Sequence, residues 1–167
     1  MQKTPEIIFD CCVLSNFAFS DSLFILKTIY SHSAYVTEFV SAEIMRGIQR
    51  GYKDLERIQD SKRKGWLQEI VMRSPKERSL YETLSISLGL GESSSIAVAK
   101  IRELIFACDD KAARREAKFL EVKLTGTIGI LKKAIQDKII KLKDGDFFLS
   151  KMKDHGFYVA LDSLKEI

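Results

Sequence analysis

Little in this chain could staple, kink or anchor it. Two prolines and nine glycines among 167 residues exclude collagen-like and proline-rich disordered classes. Cys11, Cys12 and Cys108 are odd in number and follow neither CxxC nor metal-ligand spacing, so a disulfide framework is not expected and a reducing compartment is. The two histidines, His32 and His155, lie far apart with no acid or serine motif beside them, which points to surface or structural roles rather than catalysis. No apolar run approaches the ~20 residues of a membrane span, and the N-terminus lacks the basic, apolar and small-residue succession of a secretory signal. A cytoplasmic protein with no membrane partner is therefore expected.

What the chain does have is a core and a local excess of positive charge. With 46% hydrophobic and 30% charged residues it has the composition of one ordinary domain, expected to span residues 1–167. Its net charge is +4, and residues 110–144 alone carry ten Lys/Arg against five Asp/Glu. Such a surplus keeps helix faces solvated, and it is also what a phosphate backbone requires of a protein that grips it.

Two stretches organise the rest. Glu6-Ile7-Ile8-Phe9 is a short strand-like run that ends in Asp10, and Leu104-Ile105-Phe106-Ala107-Cys108 runs likewise into Asp109-Asp110 and then into a helical pattern from Lys111. Two parallel strands would deliver acids to one sheet edge, where open α/β sheets hold their ligands. Between them, Thr37 caps an expected helix over 38–48 in which Val40, Ile44 and Ile48 form an apolar stripe bordered by Glu43. Trp66 to Val71 suits an edge strand, and Ser74-Pro75-Lys76-Glu77 starts a helix running to Leu88. Gly89-Leu90-Gly91 stops that helix, and the next carries Glu92 in its first turn, on one face with Ile96 and Ala99. A short strand over 121–124, a helix from Thr127 and two closing helices over 144–155 and 157–165 complete a βαβα order.

Asp10, Glu43, Glu92 and Asp110 thus stand out by position. Any one of them could be a cap or an ion-pair partner. Four converging carboxylates would repel one another unless protons or hard divalent cations neutralised them. The basic residues near these acids, Arg46, Lys111, Arg114 and Arg115, suit phosphate contact as well as ordinary surface charge.

These residues resemble the PIN domains, represented by VapC-type ribonuclease toxins and related prokaryotic PIN proteins. The resemblance rests on Ile7-Ile8-Phe9-Asp10 with Val13-Leu14, on Val36-Thr37 through Val40 to Glu43-Ile44, on Leu90-Gly91-Glu92 with Ser95 to Ala99, and on Asp109 to Arg114. Leu124 to Leu131 is similar to the segment that follows in one PIN subgroup. The resemblance implies a three-layer α/β/α sandwich with a central parallel sheet, C-terminal helices over about 127–167 packed on it, and a pocket that binds Mg²⁺ or Mn²⁺ and hydrolyses RNA. Asp10, Glu43, Glu92 and Asp110 fall on the family's acidic positions, and Asp109 is implied to support the site. Water is the implied nucleophile, so no side-chain nucleophile is needed. The implied partners are RNA, an antitoxin protein covering the cleft, and a second copy in a homodimer.

Cys12 and Cys108 depart from the pattern, occupying positions where PIN proteins usually carry small hydroxyl residues. A thiol donates a weaker hydrogen bond, so orientation of the acids would be poorer. The competing reading is accordingly an interaction module of the same fold that cuts little or nothing. Free cysteine is ordinarily a small buried apolar group, and the sharper alternative is a soft-metal or redox cluster at the strand ends. A phosphatase or receiver is disfavoured because Asp10-Cys11-Cys12 lacks a second acid two positions on.

Overall fold

The computed structural model describes residues 4–167. Five strands, β1 (Ile7–Phe9), β2 (Ala34–Thr37), β3 (Leu67–Ile70), β4 (Ile105–Ala107) and β5 (Leu124–Thr125), form one all-parallel sheet in the order β3-β2-β1-β4-β5. Among the described residues there are nine α-helices: α1 (Cys11–Phe19), α2 (Leu23–Tyr30), α3 (Glu38–Gln49), α4 (Glu56–Arg63), α5 (Pro75–Leu84), α6 (Leu90–Arg102), α7 (Lys111–Phe119), α8 (Thr127–Gln136) and α9 (Leu142–Asp154). The result is the expected three-layer α/β/α sandwich.

The alternation of side chains along β1 assigns the layers. Ile7 and Phe9 face a core with Val13, Leu14 and Phe17 of α1, Ile25 and Leu26 of α2, Val40 and Ile44 of α3, and Ile130 and Leu131 of α8. Ile8 faces the other way, with Phe106, into Leu84 of α5, Ile96 and Val98 of α6 and Ala113 of α7. Each fully buried Ile or Phe contributes about 1.5–3 kcal/mol of transfer free energy, so the strands are held from both faces. The chain leaves β1 toward β2 and β3, then returns to β4 on the other side of β1. The order therefore reverses between β1 and β4, and their carboxyl ends open a crevice there.

Local chemistry explains how α6 comes so close to that crevice. Ser93, Ser94 and Ser95 are fully buried, and Ser94 and Ser95 donate their hydroxyls to the Gly91 carbonyl at 2.9 and 2.8 Å. Small residues with satisfied hydroxyls let the helix lie against the sheet and α3. Ser94 also bonds the hydroxyl of Thr37 at 2.8 Å, and Thr37 accepts the Val40 N–H as the N-cap of α3.

Three expectations require correction. The fifth strand lies at Leu124–Thr125, later than 121–124, because Glu121 adopts φ 59° and the Val122 N–H turns back to the Ala117 carbonyl. α5 stops at Leu84, short of Leu88, in turns that bond back to the Tyr81, Thr83 and Leu84 carbonyls. Residues 157–165 do not form a helix: after Gly156, at φ 100°, the chain is irregular up to a 3₁₀ turn at Leu164–Glu166. That segment is pinned instead by Asp146, which accepts from Ser163 Oγ and the Leu164 N–H, and by Lys153, which donates to the Leu161 carbonyl.

Candidate metal centre

Asp10 follows β1 directly and its N–H bonds the Ala107 carbonyl of β4 at 2.9 Å, so its position is fixed by the sheet register. Only 4% of Asp10 is exposed. Burial raises its pKa above the ordinary carboxylate value, against the opposing effect of thiol donation from Cys12 and Cys108 and of the Cys11 N–H. Cys12 Sγ donates to Asp10 Oδ2 at 3.0 Å and Cys108 Sγ to the same oxygen at 3.8 Å. The Cys11 thiol turns elsewhere, to Ser15 Oγ, and burial pushes its pKa up to about 12.

Glu43 reaches the crevice from α3. Its carboxylate accepts the Gly91 N–H at 3.2 Å, joining α3 to the first turn of α6. A Cβ on Gly91 would lie 2.6 Å from Glu43 Oε1, so the contact requires glycine there. Burial first, then the charge of Asp10, raises the Glu43 pKa. Glu92 sits one residue further along α6 and accepts the Gly89 N–H at 3.3 Å as the N3 member of a capping arrangement. Burial, then the charges of Asp10, Asp110 and Glu43, raise its pKa to about 7. Asp110 is exposed and caps α7, accepting the Ala113 N–H at 2.9 Å.

The structure thus brings Asp10, Glu43, Glu92 and Asp110 within electrostatic reach of one another at the strand-order reversal. Their carboxylates are not drawn together to one point. Among the described residues, the set whose potential ligand atoms all lie within 4.8 Å of one another is Asp10, Cys12 and Cys108. Like charges sharing a partly buried crevice stand apart for electrostatic reasons.

Asp109 does different work from its neighbour. Its Oδ1 accepts the Thr127 N–H at 2.9 Å, and its Oδ2 accepts Thr127 Oγ1 at 2.6 Å and Asn16 Nδ2 at 3.2 Å. Asn16 Nδ2 also donates to Thr127 Oγ1 at 3.0 Å. Both carboxylate oxygens are occupied in tying α1 and α8 to the end of β4. Thr127 is the first residue of α8 rather than its cap, which is Gly126. Asn16 escaped the sequence reading. A single amide among Val13, Leu14, Phe17 and Ala18 was the available signal.

Of the basic residues, Arg46 lies one turn beyond Glu43, where its charge favours the Glu43 carboxylate. Lys111 and Arg115 are exposed on α7. Arg114 turns inward and donates to the Cys108 and Thr125 carbonyls at 2.7 and 3.0 Å, buckling the ends of β4 and β5. A cleft of about 350 Å³ is bordered by Cys12, Asn16, Asp109, His155 and Tyr158. His155 stacks on Phe19 with ring centroids 5.0 Å apart. No helix among the described residues is long and apolar enough to cross a membrane.

The donor set fits a hard divalent cation. The acids offer oxygen ligands, and burial first, with neighbouring carboxylates after it, raises their pKa values. A family model described as a PIN domain matches residues 6–167. No curated protein matches the chain.

Proposed function

The chain belongs to the PIN-domain family, whose fold is of the nuclease type, and from that premise we propose that it is a Mg²⁺- or Mn²⁺-dependent endoribonuclease. The single observation that carries this reading is that Asp10, Glu43 and Glu92 lie within electrostatic reach of one another at the strand-order reversal, each made harder to ionise first by burial and then by neighbouring negative charge. Asp10, Glu43, Glu92 and Asp110 would hold the cation, and Asp109 would support the site through Thr127 and Asn16. When bound, the cation supplies activation of water and neutralisation of charge on the scissile phosphate. The residues themselves orient and exclude. Cys12 holds one oxygen of Asp10, Gly91 holds Glu43 by its N–H, and the walls formed by Ser94 and Thr37 keep α6 in register with the strand ends. Exposed Lys111, Arg115 and Arg46 would attract the RNA backbone, with Arg114 acting from beneath as a brace.

In its biological setting the protein would be the toxin of a toxin–antitoxin pair, acting as a homodimer, with an antitoxin segment covering the acids. A second reading, an interaction module that cuts little, is favoured by one feature: thiols, rather than stronger hydroxyl donors, orient Asp10. Cleavage of a mixed RNA pool in Mg²⁺, Mn²⁺ or EDTA by the parent, Asp10→Asn and Glu92→Gln separates the two. Metal-dependent cutting lost in both variants is the expected result. A parent that gains thermal stability from Mn²⁺ yet leaves the RNA intact, in a pool that another metal-dependent ribonuclease degrades, would favour the module.

A further inference from the structure

We propose that Asp10, Cys12 and Cys108 form a site for a thiophilic divalent ion, Zn²⁺ foremost, which shares Asp10 with the carboxylate pocket but differs from it in ligand chemistry. Two of the three cysteines, Cys108 in the buried core and Cys12 packed against it, place their sulfurs on a carboxylate. Their sulfurs approach the same oxygen, Asp10 Oδ2, at 3.0 and 3.8 Å, and all three atoms lie within 4.8 Å of one another. Around a tetrahedral zinc, with bonds of about 2.3 Å to sulfur and about 2.0 Å to oxygen, sulfur and oxygen ligands stand roughly 3.5 Å apart and two sulfurs roughly 3.8 Å apart. The observed sulfur–oxygen distances of 3.0 and 3.8 Å bracket the first value, and the two sulfurs lie within 4.8 Å of one another.

The three residues also sit on rigid elements. Asp10 and Cys108 follow paired positions of β1 and β4, where Phe9 lies opposite Ala107, and Cys12 is in the first turn of α1. Cys12 borders the cleft of about 350 Å³, while Asp10 and Cys108 lie buried behind it. On binding, each thiol releases its proton to solvent and the sulfur takes the ion as thiolate, so that two thiolates and one carboxylate surround it. Three protein ligands leave a fourth position for water. Thiolates select Zn²⁺ over Mg²⁺ or Mn²⁺, which prefer oxygen. Zinc at this site withdraws Asp10 from the hard-cation pocket. That consequence for cleavage rests on the nuclease reading; the site itself does not.

Cobalt(II) alone, titrated into the full protein with a phosphine reductant and no RNA, tests the site. The expected result is a near-ultraviolet sulfur-to-cobalt charge-transfer band with intense tetrahedral visible bands, saturating at one equivalent and bleached by Zn²⁺. Cys12→Ser and Cys108→Ser should each weaken the band, the double variant should lose it, and Cys11→Ser should keep it. The variants' far-ultraviolet circular dichroism and melting curves show that they fold. No charge-transfer band in the parent, or a band that survives in the folded double variant, overturns the proposal. RNA cleavage is read separately, so a protein that binds cobalt through sulfur but cuts nothing refutes only the nuclease reading.

Discussion

Neutralising Glu92 should stabilise the protein when divalent ions are removed, although it deletes a proposed ligand. The Glu92 carboxyl titrates near 7 in the fold against an ordinary 4.5, chiefly because it is partly buried and then because Asp10, Asp110 and Glu43 surround it. At pH values below 4.5 both folded and unfolded states hold the proton, and the acid opposes nothing. Between 4.5 and about 7 the unfolded chain gives up a proton that the folded chain keeps, so stability falls as pH rises. Above 7 the folded state carries the charge at full cost. The interval sets an upper limit of about 3 kcal/mol at ~1.4 kcal/mol per pH unit. Solvent screening of a partly exposed group reduces that to about 1–2 kcal/mol. In a chain of this size the gain is about 3–6 °C in melting temperature. Glutamine retains an oxygen for the Gly89 N–H, so the helix start survives. Thermal melts of parent and Glu92→Gln in EDTA should therefore differ by that amount at pH 8, with the variant higher, and converge at pH 5. Adding Mn²⁺ at pH 8 should raise the parent more than the variant. A variant that melts lower than the parent by the same margin at both pH values would refute the electrostatic reasoning and show that Glu92 acts only as a helix cap.

Other substitutions separate roles that lie side by side. Gly91→Ala should leave the fold intact, since alanine favours a helix by about 1 kcal/mol over glycine, yet displace Glu43 and abolish the Mn²⁺-induced rise in melting temperature. Asp109→Asn should cost about 1–3 kcal/mol in urea unfolding, because an amide facing the Thr127 and Asn16 donors leaves one of them unpaired. Asp110→Asn should keep its stability, asparagine being an equally good cap, while RNA cleavage falls; equal losses of stability in the two variants would show that the adjacent acids are not divided in role. Glu77→Ala, far from the acids, should lose about 1–3 kcal/mol: Glu77 is buried and accepts from Arg102 at 2.7 Å, but Arg102 is partly exposed and keeps its bond to the Val71 carbonyl. Arg102 holds the Glu77 pKa below its ordinary value, so the pair's contribution should be present above pH 4.5 and vanish as pH falls lower.

What sequence made legible was the local pattern, and what it hid was long-range pairing. The runs into Asp10 and Asp109-Asp110 marked β1 and β4 because short buried strands are continuous in apolar residues and end abruptly. Ser74 to Glu77 announced a capping box, which the structure contains, but nothing local shows that Glu77 also receives Arg102 from 25 positions away. Asp10, Asp110 and Glu43 all act electrostatically on Glu92. Their separate hydrogen bonds to Gly91, Gly89 and Ala113 could not be read from spacing. The last segment, expected as a helix over 157–165, takes an irregular path because Gly156 breaks the helix and the Asp146 side chain holds the chain beyond it. Cys12 and Cys108 read in the sequence as weaker donors in place of hydroxyls, with a soft-metal or redox cluster as the sharper alternative. Only their shared approach to Asp10 gives them a common chemistry.

The clasp of Asn16, Asp109 and Thr127 also bears on when the crevice becomes complete. Asn16 and Thr127 are 111 positions apart, and Asp109 bonds both. During synthesis β1 and α1 exist long before Thr127 has been added, so the edge of the crevice next to Asp10 stays unfastened until the residues through Thr127 have emerged. Closing so long a loop is entropically costly and gains nothing until α8 packs behind it. Asp10 is thus translated well before Asp109 and Thr127, and the bond network beside it is fastened only once both have followed. A growing chain would carry the ingredients of its centre without the completed centre, which ties the onset of any activity to the end of folding.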